Sequence, residues 1–441
     1  MPTLPNQAVP TLTRFRVAVA LVALLSSSAI ARADVVLTWN EQAVKTFIGQ
    51  GQSPFQQGRY VAIVQLAVFE AVNAITRDYE PYIGVVAPVG ASVDAAAATA
   101  AYRVLKTYFP MAPDIDALYT SSLAAIPAGT AKTNGIATGE AAAQAMIAKR
   151  VGDHSSPLMM GPPPVMPPVA GVWHLTLPPG CAVTATGGAN YNWKDVTPFG
   201  ITSVLDYVLP PPPAITSNEF AKAYNYVKSV GAANSTQRPP DRSDVARFYA
   251  ATSSAYVFNL AARQVSQAKD FSISENARML ALLNMASSDS LVASFYNKYL
   301  YNYWRPENAI RFDQDFGNKK VEPDTSYVPF ITTPCFPSYP SNHASGSNGA
   351  AEMLRRLYGA GGHDITIANP AMPGMTFHYT KFSQITDDID DARVYGGIHF
   401  RFDQEAGTDL GRNVATFIYR HNLRAQHSQD DDADAHAGRR D

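Results

Sequence analysis

The chain has 441 residues, 46% hydrophobic and 16% charged, enough to bury a sizeable core in one large domain or two packed subdomains. Lysine plus arginine number 35 against 37 aspartate plus glutamate, which excludes a global basic field for nucleic acid or an anionic membrane; any affinity for anions must be local. Two cysteines, Cys181 and Cys335, are too few for a disulfide framework and form no Cys-x-x-Cys zinc motif, although an oxidising compartment would permit one bridge between them.

The chain opens with Arg14 and Arg16, an apolar stretch from Val17 to Leu25, and Ala31-Arg32-Ala33 before Asp34. This pattern predicts a signal peptide over residues 1–33, cleaved after Ala33, and a secreted or periplasmic protein. The apolar stretch falls short of the roughly 20 residues that span a bilayer, and no later segment is read as such a run, so no membrane anchor is expected.

Alanine-rich segments such as RYVAIVQLAVFEAVNAI and ASVDAAAATAAYRVLKTYF space their apolar residues by three and four, predicting an N-terminal helical bundle over residues 34–152. Residues 153–216 are dense in proline and glycine (GPPPVMPP, LPPG, LPPPP) and read as a long irregular connection packed over a site. Helical periodicity returns over residues 217–424. Residues 425–441 are charged, lack apolar periodicity and read as a disordered tail. Strand-like alternation is nearly absent, so the expected class is all-α, two packed helical bundles joined by the proline-rich connection.

Three stretches in the second half concentrate cationic and imidazole groups. In KYLYNYWRP, Lys298 and Arg305 stand seven residues apart, two turns on one face of a helix that Pro306 then limits; alone, this reads as a solvated face. In PSYPSNHASGS, Ser341, Asn342 and His343 precede a predicted helix whose free N–H groups would attract an anion, with the Ser341 hydroxyl as a further donor and His343 as acid or base. In ARVYGGIHFRFDQEAG, Gly396-Gly397 would break a helix and let Arg393 and His399 turn to one point, while Asp403, four residues on, would fix the His399 tautomer.

Together these stretches resemble the signature of the vanadium-dependent haloperoxidases and the type 2 phosphatidic acid phosphatase superfamily: Lys-x6-Arg-Pro, Pro-Ser-Gly-His and Ser-Arg-x5-His-x3-Asp. Lys298, Arg305 and Pro306 fill the first motif, Pro340, Ser341 and His343 the second, and Arg393, His399 and Asp403 the third. Two positions depart: the family glycine is Asn342, which keeps the backbone donor, and the serine before the arginine is Ala392.

The resemblance implies a secreted haloperoxidase. His399 would ligate vanadate as the metal ligand; Lys298, Arg305, Ser341, Arg393 and the Asn342 amide would hold its oxygens; His343 would assist peroxide deprotonation, Lys298 would polarise the bound oxygen, and Asp403 would orient His399. The partners implied are hydrogen peroxide and a halide or small organic substrate, with neither nucleic acid nor membrane; a homo-oligomer stays open. The same resemblance admits an acid phosphatase, with phosphate in the site, His399 as nucleophile and His343 as leaving-group acid. A non-catalytic oxyanion-binding protein is the third alternative, suggested by Asn342.

Chain length and a two-bundle plan lean toward the first reading, as does Phe336, seven residues before His343, which resembles an aromatic position beside vanadate. Lower in rank stand His174, read as a loop histidine near a pocket mouth, and the acidic run Asp387 to Asp391, read as a solvated face or a partner for Arg393. His363 and His378 lie in loop-like sequence without a fixed partner.

Overall fold

The computed structural model describes residues 34–176 and 178–426. The predicted signal peptide and residues 427–441 of the predicted tail lie outside the described residues. The first two tail residues are ordered: Ala425 bridges Tyr79, and Gln426 N–H donates to Asp78 O (2.9 Å).

The N-terminal helices are α1 (Val35–Gly49), α2 (Pro54–Thr76), α3 (Val93–Tyr108), α4 (Ile115–Ala124) and α5 (Thr130–Lys149). Asp34 caps α1, accepting from Val36 N (2.6 Å) and Leu37 N (3.2 Å). Proline at the first position starts α2 where its missing N–H costs nothing. Contrary to the sequence reading, α2 is long and apolar enough to cross a membrane by length and composition; most of it is buried inside the protein, where it packs on α3, α5 and the later helix Ile273–Tyr301.

After the irregular segment come α6 (Asn218–Gly231), α7 (Pro240–Ala250), α8 (Ser254–Lys269), α9 (Ile273–Tyr301), α10 (Pro306–Arg311) and α11 (Asn342–Tyr358). A hairpin then pairs β1 (Ile365–Ala368) with β2 (Thr376–Tyr379), Ile365 opposite Tyr379 and Ala368 opposite Thr376. The chain ends in α12 (Phe382–Tyr395) and α13 (Arg401–His421). The hairpin corrects the loop reading there, since four-residue strands are too short for alternation to show.

Helix α9 is buried on all sides along most of its length and forms the axis of the molecule. The largest of three apolar clusters runs from α1, α2 and α3 through α8 and α9 to α11 and α13, so helices from both sides of the proline-rich segment share it. That segment is pinned to α9: Asp289 accepts from the N–H groups of Phe199 (2.7 Å), Gly200 (2.7 Å) and Ile201 (3.0 Å), and Asn297 accepts from Leu209 N (2.8 Å). A disulfide joins Cys181 to Cys335, bridging the segment to the strand of chain before α11.

Close approach of α13 to α11 decides the site. A Cβ on Gly407 would lie 2.7 Å from Ser341 O and 2.7 Å from Ala344 Cβ, so only glycine lets the helices meet there. The approach brings Asp403 O within 2.9 Å of Ser341 N.

Candidate oxyanion site

Helix α9 stops at Tyr301, and Arg305 is the N-cap residue of α10 with extended backbone (φ −82°, ψ 158°). Lys298 and Arg305 therefore do not share a helix face, as their spacing suggests. The proline at 306 forbids helical backbone at 305, and the chain turns before it. Fully buried Lys298 donates its ammonium to Pro337 O (2.9 Å), Ser338 O (2.7 Å) and Pro340 O (2.5 Å). These bonds hold the loop that leads into α11 and give Lys298 a clamping role there, while burial, then the Arg305 charge, hold its pKa well below the usual range.

Arg305 is fully buried and reaches the same point from the other side. Its Nε donates to Phe336 O (2.9 Å), its Nη1 to Ile398 O (3.0 Å) and to the His399 ring nitrogen Nε2 (2.8 Å), while Nη2 is buried without a partner. Both Arg305 (5.1 Å) and Lys298 (5.4 Å) stand over the ring of Phe336.

Ser341 caps α11, accepting from Ala344 N on its Oγ (3.3 Å). This leaves the Ser341 hydroxyl proton free to donate and the N–H groups of Asn342 and His343 without intrahelical acceptors, an arrangement that favours an anion. Helix α12 ends at Gly396. Gly397 adopts φ +80° with Gly231 O where a Cβ would stand (2.2 Å), so the predicted break occurs and turns Arg393 and His399 toward each other. Arg393 is buried, and its Nε and Nη1 have no partner among the described residues.

His399 lies just before α13, and its Nδ1 donates to Asp403 Oδ2 (2.8 Å). The same carboxylate oxygen accepts from Ser338 Oγ (2.6 Å) and Phe400 N (3.1 Å). With Nδ1 protonated, Nε2 carries the lone pair. Burial, then the charges of Arg305, Lys298 and Arg393, hold the His399 pKa well below its usual range. Burial and the same cations act likewise on His343. Burial also pushes the Arg305 guanidinium down to about 9 and Arg393 to about 10, and raises the Asp403 carboxyl to about 6 against its hydrogen bonds and the nearby cations.

Asn342, His343, Arg393 and His399 form the floor of a cavity of about 560 Å³ whose walls include Phe55, Leu291, Phe330 and Phe336. The site thus collects the orphaned N–H donors of Arg393 at the floor and of Arg305 behind His399, a helix start and an unprotonated imidazole nitrogen. Such donors are costly to bury unpaired, and a tetrahedral oxyanion is the species that satisfies them together. Vanadate and phosphate both fit.

Sequence reading missed Ser338, which lies within PSYPSN, and Ser294, one turn before Lys298, whose Oγ donates to Asn342 Oδ1 (2.7 Å). Spacing on α9 places Ser294 one turn from Lys298 but does not reveal its partner on α11. His174 is half-buried and does not line the cavity. The acidic run does not serve Arg393: Asp388 and Asp391 pair with Arg242, Asp391 also with Arg401, and Asp390 is buried. His378 stands on β2 with Thr366 Oγ1 at 3.0 Å, and His363 Nε2 donates to Gly359 O (3.2 Å), so both have partners.

Residues 278–428, which hold all three sequence motifs, match the family model of the VCPO second helical-bundle domain. Within those residues the chain carries a VCPO second helical-bundle domain. It is 24% identical to the vanadium chloroperoxidase of Curvularia inaequalis, over 46% of this chain and 44% of that protein, so it spans less than half the length of this curated relative. Among solved structures, a bacterial vanadium-dependent iodoperoxidase superimposes with a TM-score of 0.74 at 20% identity, over 90% of this chain and 98% of the other. An apo-type bacterial vanadium-dependent chloroperoxidase gives 0.68 at 16% identity, over 83% and 92%. At these identities the likeness establishes a common fold.

Proposed function

We propose that the protein is a vanadate-dependent haloperoxidase, exported from the cytoplasm, that oxidises halide with hydrogen peroxide. The observation that carries this reading is the pairing of an imidazole Nε2 lone pair, fixed by Asp403, with orphaned donors on Arg393, which lines the same cavity, and on Arg305, which stands against the His399 ring. His399 would hold vanadate through Nε2; Arg305, Arg393, the Ser341 hydroxyl and the first N–H groups of α11 would hold its oxygens. When bound, vanadate supplies Lewis-acid activation of peroxide.

This chain's own residues supply the rest. Burial, then its cationic neighbours, keep His343 neutral, so its ring can take a proton from a peroxide in the cavity. Phe336 and Phe330 exclude water from one wall, which strengthens the electrostatic contacts within. Lys298 and Ser338 hold the loop and the carboxylate that set the geometry. The likeness to an iodoperoxidase structure along nearly the whole chain supports a peroxidase over a minimal phosphatase. Export is supported by the N-terminal pattern and by the Cys181–Cys335 disulfide.

The test is a paired assay on one preparation: peroxide- and vanadate-dependent halogenation of a cyclic diketone with iodide, bromide or chloride, beside hydrolysis of an aryl phosphate without vanadate. Halogenation is expected to dominate, with the more easily oxidised halides ahead of chloride. Brisk phosphate release with no halogenation at any vanadate concentration would replace the proposal with a phosphatase.

A further inference from the structure

The family signature has glycine where this chain has Asn342, and the structure gives that side chain a defined direction. Its Oδ1 accepts from Ser294 Oγ at 2.7 Å in a buried contact. Ser294 is fully buried on α9, one turn from Lys298, so consecutive turns of α9 grip the loop and the first residue of α11. The Asn342 Nδ2 makes no hydrogen bond to a described residue, yet it is not among the sealed polar atoms without partners, and Asn342 lines the cavity. The amide nitrogen therefore opens onto the cavity that His343 and Arg393 also line.

We propose that the Asn342 side-chain amide, aimed by Ser294, is an additional donor to the tetrahedral oxyanion; this deepens the oxyanion-site reading above and rests on it. The amide adds an N–H contact without adding charge to a floor that already concentrates guanidinium groups. The opposite rotamer would set the Oδ1 lone pairs against the anion's oxygens and leave the Ser294 proton without its acceptor, so loading favours the orientation seen. Asn342 acts here as a binding residue and Ser294 as a positioning residue.

The test is calorimetric titration of the anion-stripped full chain with orthovanadate and, separately, with inorganic phosphate. A hydrogen bond to a charged group implies that Asn342→Gly and Asn342→Ala each weaken both anions by about tenfold or more. Asn342→Asp, which turns a carboxylate toward the anion, is expected to weaken them further, on the order of 100-fold. Ser294→Ala leaves the donor but frees it, with an expected loss of about three- to fivefold. Thermal unfolding without anion separates misfolding from lost binding, and the Gly and Ala variants check each other. Affinities in Asn342→Gly and Asn342→Ala equal to or tighter than wild type, or an Asn342→Asp variant that binds as well as wild type, would overturn the proposal while leaving the oxyanion site standing. A wild-type chain that binds neither anion would remove both.

Discussion

Nη1 of Arg305 lies 2.8 Å from Nε2 of His399, so the guanidinium covers the lone pair that an oxyanion's central atom would need. On the far side of the ring, Nδ1 is 2.8 Å from Asp403 Oδ2. The imidazole is thus held between a cation and a carboxylate, in the tautomer that leaves Nε2 unprotonated. A bound anion can take over the guanidinium's donors and leave Nε2 to bond.

His399→Ala is accordingly expected to lower orthovanadate affinity by more than about 100-fold, because it removes the ligand atom itself. Asp403→Asn should cost about 10- to 100-fold, the range for partners that orient a ligand. It should not abolish binding, because the His399, Ser338 and Phe400 donors that converge on Oδ2 would keep an amide oxygen in that place. Unchanged vanadate affinity in His399→Ala would remove the ligand assignment.

Lys298 offers a sharper contrast between sequence and structure. As an oxyanion ligand, its loss would weaken anion binding and leave the empty protein as stable as before. As a clamp on Pro337, Ser338 and Pro340, its replacement by alanine strands three buried carbonyls, each worth about 1–3 kcal/mol when left unpaired. Lys298→Ala is therefore expected to lower the unfolding midpoint by several degrees in the absence of any anion. An unchanged midpoint with weakened vanadate binding would return Lys298 to the ligand role.

Much of the site was legible because its motifs combine local chemistry with local backbone signals. Gly396-Gly397 marked the helix break that turns Arg393 and His399 together, and the four-residue step from His399 to Asp403 marked their hydrogen bond. What spacing could not show was anything set by the turn after Tyr301, which carries Arg305 off the Lys298 face, or by the packing of α9 on α11, which pairs Ser294 with Asn342. The all-α class followed from periodicity. The shared core of the two halves did not, because periodicity identifies a buried face without saying which helix covers it.

His343 lines the cavity beside the cationic floor and makes no contact that holds another element in place among the described hydrogen bonds. His343→Ala is expected to retain orthovanadate within about threefold of wild type while halogenation falls about 10²- to 10⁴-fold, the usual contribution of a positioned acid or base. The measurement is kcat under saturating vanadate and peroxide beside a vanadate titration. Wild-type turnover in this variant would make the histidine a wall residue.

Asp390 gives a stability prediction away from the floor of the cavity. Its carboxyl is buried; Oδ2 accepts from Thr408 Oγ1 (3.1 Å), and Oδ1 has no partner. Burial pushes it up to about 7 from an ordinary value of 3.8, with the Asp387 charge acting in the same direction and Thr408, Asn348 and the Arg401 charge opposing. Below about pH 4 the carboxyl is protonated in both folded and unfolded chains, and its contribution is full. As pH rises toward 7, the folded protein holds a proton that the unfolded chain has released, so stability falls across that window and levels above it. Each tenfold change in proton affinity is worth about 1.4 kcal/mol, which makes the effect a few kcal/mol. Asp390→Asn cannot ionise, so its unfolding midpoint at pH 8 should exceed that of the wild type, with the advantage shrinking toward pH 5. Asp289, pushed up to about 6 by burial, should leave a residual slope in both proteins. Thermal unfolding of the two proteins at pH 5 and pH 8 checks this, and parallel pH dependences would show that Asp390 is ionised in the folded chain throughout.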